Sequence, residues 1–320
     1  MFRIFMQKEE ASGFRCLTGA SWEIYSKEIS TLSKMSKPFQ FPFESHYLNV
    51  SGIRMHYIDE GDKKAPAIIF LHGVPTWSYT FRKIIPTCVK SGYRVVAPDL
   101  PGFGLSEKSI KKSVVTLSWL VNLVREFVGH VKLDQPVLYA HDWGAVIGLM
   151  LASQKDDPFS GLILSNGLLP VPGMKAPFQF RIWRLFARIS PFLPVGRIVD
   201  YGTRRRLSPM ERKGYEYPFH TTKEKMTIRL MPRLLPMGHQ HSEFHRLKVA
   251  WSNLEQREKP LLTLFSDGDP ITRGGEKVLQ ERIPGSSHQD HIILRGGHFL
   301  QEDVPEEISR KIIGFMKKHA

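Results

Sequence analysis

The sequence predicts an α/β fold, a mostly parallel central sheet flanked by helices, with a helical cap subdomain inserted late in the chain. Two observations lead there. From residue 47 to residue 167, short apolar runs bounded by turn residues alternate with segments of helical periodicity. That alternation is the pattern of right-handed crossovers and of a sheet covered on both faces. After Gly167 it stops, and a Pro-rich, basic stretch without strand signals intervenes before two more strands appear. The core is therefore expected to be discontinuous, 41–168 plus 259–320, with 169–258 as the cap. Residues 1–40 form an N-terminal extension, expected to be poorly ordered.

Element by element, "YLNVSGIRMHYIDEG" reads as a hairpin of two strands and "AIIFLHG" as a buried strand ending in a loop. There follow a helical "SYTFRKIIPTCVKSG", a strand "YRVVAPDLPG", a helix "TLSWLVNLVREFVGHVK", a strand "PVLYAHD", a helix "GAVIGLMLASQ" and a strand "FSGLILSNG". Beyond the cap, "KPLLTLFSDGDP" and "HQDHIILRGGHF" restore two strands, and "VPEEISRKIIGFMKKH" closes as an amphipathic helix.

Composition bounds the function classes. With 320 residues, 42% hydrophobic and 11% aromatic, the chain can bury a large core. No apolar run approaches the roughly 20 residues of a membrane helix, so no integral membrane segment is expected. Cys16 and Cys88 alone make neither a disulfide framework nor a metal cluster, which favours a reducing compartment and a cytoplasmic location. Arg3, Arg15, Lys27 and Lys34 leave a mitochondrial presequence open, against which stand Glu9, Glu10, Glu23 and Glu28; Met35 offers a second start. The net charge of +14 is concentrated in residues 170–258, which hold 17 Lys or Arg against 7 Asp or Glu. Without a nucleic-acid module or a base-stacking signature, this reads as a solvated basic face, with no nucleic-acid partner and only weak attraction to anionic membranes. A monomer is the default assembly.

The chemistry-bearing residues sit at the carboxyl ends of strands, where parallel sheets build their sites. His72 and Gly73 follow "AIIFL", Asp142 follows "PVLYAH", Asp269 follows "LLTLFSDG" and His298 follows "HIILRGG". The order nucleophile, acid, histidine is that of the strand-turn-helix hydrolases, except that the turn "AHDWG" carries a carboxylate in place of a serine. The bland readings are that His72 and Pro75 shape the loop, His141 supports the turn, and Gly102 and Gly104 form turns. His239, His241 and His245 read as a surface segment, without the ligand spacing of a metal site.

The segments "LHGVPTWSYTFRKIIP", "DLPGFGLSEK", "HDWGA", "FSDGDPITRGG" and "GGHFLQED" together resemble the haloalkane dehalogenases of the α/β-hydrolase superfamily, over roughly residues 45–320. The resemblance implies hydrolysis of haloalkanes to alcohol and halide. Asp142 would be the nucleophile that forms an alkyl ester, His298 the base that activates water, and Asp269 the acid that orients the histidine. Asp267 is a rival for the acid, but in the family the acid stands immediately before a proline, as Asp269 precedes Pro270. Some relatives place the acid where this chain has the uncharged Asn166.

The resemblance also assigns an oxyanion hole to the backbone N–H groups of Val74 and Trp143, and halide binding to Trp143 and Trp183. Indole N–H is a donor with no competing acceptor. Trp183 read alone is an ordinary packing residue of an amphipathic helix, and Trp77 is expected to pack behind the site. Phe178, Phe180, Phe186, Leu169 and Met174 line either the pocket or the cap core. No cofactor and no metal are implied; the partners are a small apolar halogenated or epoxide substrate and water.

The alternative is an epoxide hydrolase using the same Asp-His-Asp triad, with protons donated by cap tyrosines among Tyr201, Tyr215 and Tyr217. Trp143 in place of arginine argues against a fluoroacetate-type enzyme, Asp142 against a serine esterase, and the intact triad against a protein that has lost catalysis.

Overall fold

The computed structural model describes residues 41–319; the expectations for residues 1–40 lie outside them. β1 (His46–Val50) and β2 (Ile53–Glu60) pair antiparallel around the two-residue turn Ser51–Gly52. Both turn residues have positive φ, 47° and 81°, which matches the hairpin to the twist of its strands.

The remaining strands are β3 (Ala67–Leu71), β4 (Arg94–Pro98), β5 (Val137–His141), β6 (Gly161–Ser165), β7 (Leu261–Ser266) and β8 (Ile292–Leu294). The order across the eight-stranded sheet is β1-β2-β4-β3-β5-β6-β7-β8, parallel from β4 onward. Every residue of β3 to β7 is buried. Continuous apolar strands of this kind arise where helices cover both faces of the sheet.

The covering helices of the core are α1 (Ile85–Lys90), α2 (Leu117–His130) and α3 (Trp143–Ala152). Thr116 caps α2 by accepting a hydrogen bond from the Trp119 N–H, 3.1 Å away. The expected single helix over 78–92 is instead a 3₁₀ turn, Ser78–Phe81, followed by α1. Pro86 is the reason: with no N–H to give, it is accommodated in the first turn of a new helix and not within a continuing one.

Between β6 and β7 the described residues form five helices and no strand: α4 (Phe178–Ile189), α5 (Val195–Tyr201), α6 (Pro209–Glu216), α7 (Met226–Leu234) and α8 (Phe244–Leu254). The fold ends with α9 (Gly275–Arg282), α10 (Leu300–Asp303) and α11 (Pro305–His319). Of these, α9 buries only Gly275 and Leu279, too little apolar periodicity to announce a helix in the sequence.

A buried ion cluster ties the inserted helices to the core. Glu302 of α10 accepts from Arg82, from Lys83 at 2.8 Å, from Arg205 and from the Tyr215 hydroxyl at 2.6 Å. Glu211 of α6 meets Lys83 at 2.8 Å and Arg205 at 2.6 Å. A carboxylate this deeply buried is tolerable only when so many donors surround it. No helix among the described residues is long and apolar enough to cross a membrane.

Candidate active site

β5 delivers the chain into Asp142, and α3 begins at the next residue. Asp142 has φ 50° and ψ −115°, a conformation that L residues adopt only when their surroundings enforce it. Tight packing around the turn does so. A Cβ at Gly144 would stand 2.1 Å from the Leu71 carbonyl oxygen, and one at Gly73 would stand 2.5 Å from the Asp142 Cβ. The small residues flanking the turn are therefore required by close approach of the β3 loop.

That approach orients the carboxylate. Asp142 Oδ2 accepts from the Val74 N–H at 2.8 Å, and the Trp143 N–H also reaches the carboxylate. Oδ1 is turned toward His298, 3.9 Å from Nε2. This is a charge contact, too long for a hydrogen bond. On its other side the imidazole donates Nδ1–H to Asp269 Oδ2 at 3.0 Å. Asp269 is fully buried and accepts in addition from the Ile271 N–H at 2.8 Å and from the Thr272 hydroxyl.

The electrostatics follow from these contacts. Burial alone would lower the His298 pKa, but Asp269 and Asp142 together push it up to about 9, so the ring is an imidazolium at neutral pH. Burial works against the charge of Asp269 too, yet His298, Thr272 and the Ile271 N–H outweigh it and hold this carboxyl below the usual range. Burial raises the pKa of Asp142, opposed by His298 and the two backbone N–H groups.

The loop that carries His298 is braced from below. His141 Nε2 lies 2.8 Å from the His298 carbonyl oxygen, and burial pushes its pKa down to about 3, so the neutral ring donates there. Asn166 donates to the same oxygen at 2.9 Å and to the Gly297 oxygen at 3.0 Å, while accepting from the Ser266 N–H at 2.9 Å. Its lack of charge was legible in the sequence; its bracing role was not. His72 Nε2 accepts from the Leu100 N–H at 2.9 Å, a contact of the loop scaffold.

Above the carboxylate lies a cavity of about 430 Å³. Asp142, Trp143, His298, Val74, Phe180 and Trp183 all contribute to its wall, and a side pocket of about 60 Å³ adjoins it next to Met174. The structure thus brings together Asp142, His298, Asp269, Val74, Trp143 and Trp183. Trp77 is fully buried away from the cavity, its indole N–H 3.2 Å from the Gly214 carbonyl. Phe178 and Phe186 are exposed and Leu169 is core, so of the apolar candidates only Phe180 and Met174 reach the cavities. Ile198 and Phe299 also line the wall. Nothing in the sequence set them apart from ordinary packing residues.

The rivals separate clearly. Asp267 points outward, is half exposed and pairs with Arg204 through two contacts of 3.0 Å. Of the tyrosines, Tyr215 is buried and commits its hydroxyl to Glu302, Tyr217 is not on the cavity wall, and Tyr201 is. His241 contacts the Arg233 carbonyl oxygen at 3.2 Å and His239 packs on Phe244.

Comparison with known proteins agrees with this architecture. A family model for the alpha/beta hydrolase fold matches residues 66–305. A haloalkane dehalogenase of Mycobacterium marinum is 39% identical over 280 residues, covering 86% of this chain and 94% of the relative. One from Psychrobacter cryohalolentis is 37% identical over 282 residues, covering 86% and 93%. The solved structure of the tetrameric haloalkane dehalogenase DpaA from Paraglaciecola agarilytica superposes with a TM-score of 0.77 at 28% identity, over 88% of this chain and 95% of that one. By sequence along most of its length and by fold, the chain belongs to the haloalkane dehalogenase family of the α/β hydrolases.

Proposed function

We propose that this protein hydrolyses carbon–halogen bonds of small apolar haloalkanes, with Asp142 as nucleophile, His298 as base and Asp269 as the acid that holds it. The observation that carries this reading is a carboxylate, not a hydroxyl, at the turn into α3, open to an apolar cavity and backed by an imidazole. An ionised carboxylate needs no base to attack a saturated carbon. Because Oδ2 is held by the Val74 N–H, Oδ1 is the oxygen that attacks. The C–O bond of an alkyl ester forms as the carbon–halogen bond breaks, and the halide leaves toward the indole N–H groups of Trp143 and Trp183.

Water then attacks the ester carbonyl carbon as His298 Nε2 takes its proton. Negative charge develops on the oxygen facing the Val74 and Trp143 N–H groups. Collapse releases the alcohol and restores the carboxylate; the sum is haloalkane plus water giving alcohol, halide and a proton. Alkylation itself prepares the base. The ester carries no charge, so it withdraws the support that Asp142 gives the imidazolium, and the His298 pKa falls from about 9 just as a neutral ring is required.

Opening an epoxide requires a pair of acid groups on the cavity wall; Tyr215 is spent on Glu302 and Tyr217 is off the wall, which leaves Tyr201 as the single one of the three candidates there. The missing partner weighs against that alternative. The test compares halide release from 1,2-dibromoethane and 1-bromobutane with diol formation from styrene oxide, in wild type and Asp142→Ala. Halide release that disappears in the variant is expected. Diol formation without halide release, or an unimpaired variant, would overturn the proposal. In His298→Phe the ester should persist, as a mass increase on the Asp142 peptide.

A further inference from the structure

The helix that carries Phe180 and Trp183 to the cavity has a second apolar side. At about 100° per residue, Phe178, Ile182, Leu185 and Ile189 of α4 fall within roughly 60° of one another, opposite Phe180, Trp183 and Ala187. The inner set meets the cavity or the cap interior. The outer four are exposed by 68%, 52%, 55% and 64%, and Phe192, just past the helix, by 79%. With Phe186 they make up half of the large exposed apolar side chains among the described residues. A surface helix ordinarily buries a single apolar stripe, and a concentrated exposed one marks a contact surface.

The charges around the stripe say what it contacts. Arg181, Arg184 and Arg188 run exposed along one flank of α4, and none of them meets a carboxylate among the described residues. Arg188 also joins the stripe to a cleft of about 610 Å³, where Lys108, Lys112, Lys223, Arg229 and Arg233 face one carboxylate, Glu224. Arg229 braces the end of α4 through the carbonyl oxygens of Ala187, Ser190 and Pro191. A second copy of the chain docking here symmetrically would set these cations against their equals. A surface that is anionic and apolar at once suits the stripe and the cleft together.

We propose that the outer face of α4 and the cationic cleft beside it form a docking surface for an anionic lipid bilayer. The apolar side chains lie at the boundary of headgroups and acyl chains, and the arginines and lysines reach the lipid phosphates. Docking sets α4, whose inner face walls the cavity, against the phase in which an apolar substrate accumulates. The inference is independent of which reaction the cavity performs.

Sedimentation of the full-length protein with vesicles tests it. Phosphatidylcholine vesicles containing roughly one-third phosphatidylserine should carry the protein down, with binding that weakens as salt rises, whereas pure phosphatidylcholine vesicles should retain little. Ile182→Asp/Leu185→Asp/Ile189→Asp and, separately, Arg184→Glu/Arg188→Glu should each lower the partition coefficient about tenfold or more. Wild-type melting temperatures will show that both variants are folded. The proposal fails if the serine-containing vesicles leave the protein in the supernatant at low salt, or if the triple variant binds as well as wild type. It fails equally if sedimentation equilibrium shows a dimer that the triple variant abolishes, since a second copy would then cover the stripe.

Discussion

Replacing Asp269 by Asn should separate the two halves of the reaction. The substitution keeps the shape of the side chain but removes the charge that does most to hold His298 as an imidazolium. The rise of the His298 pKa from its ordinary 6.5 to about 9 corresponds to roughly 3 kcal/mol in favour of the protonated ring. His298 is 6% exposed, so little solvent screening reduces this. In the proposed mechanism, hydrolysis of the ester passes through that protonated ring, and in the ester the share owed to Asp142 is already gone. Asp269→Asn should therefore slow hydrolysis by about 100-fold or more.

Alkylation should be affected far less. No proton moves in that step, and for Asp142 the loss of the repelling Asp269 charge offsets the loss of the attracting imidazolium. Rapid-quench measurement of halide should show a burst of one equivalent per site followed by slow turnover, with ester accumulating on Asp142. If the burst and the turnover slow together, or if turnover is unchanged, Asp269 does not act through His298 and the assignment of the acid is wrong.

Further predictions rest on particular contacts. Asp267→Asn removes the charge paired with Arg204 and keeps an Oδ1 that can accept from the Gly296 N–H, 3.1 Å away, so it should leave steady-state halide release at the wild-type level; a large loss would return Asp267 to the position of acid. Gly144→Ala places a Cβ 2.1 Å from the Leu71 carbonyl oxygen and should cost about 3 kcal/mol or more, read as a lowered urea midpoint. Because His298 has a folded pKa above its unfolded one, its contribution to stability is complete below about pH 6.5 and is lost as pH rises through about 9. Melting curves across that window should show the decline in wild type and a weaker one in Asp269→Asn. A decline of equal size in both would refute the electrostatic origin.

What the sequence alone determined was whatever is encoded locally. Buried strands announced themselves as unbroken apolar runs, and the residues after them, Asp142, Asp269 and His298, were placed at the strand ends by chain continuity alone. The Pro-rich break after Gly167 likewise marked the inserted helices.

Choices between neighbours on one element were decided only in three dimensions. Asp267 and Asp269 lie in the same loop, and which one meets the imidazole depends on how β7 and β8 register. Phe178, Phe180 and Phe186 share one helix that is apolar on two sides, so periodicity offers no single inward face; packing of α4 against α7 beside the cavity selected Phe180. Tyr215 was removed from the cavity by Glu302, 87 residues away in sequence. Local patterns fix which groups stand at strand ends because they depend on nearest neighbours along the chain. Which groups then face one another depends on contacts between distant segments, and those form only when the sheet and its inserted helices pack together.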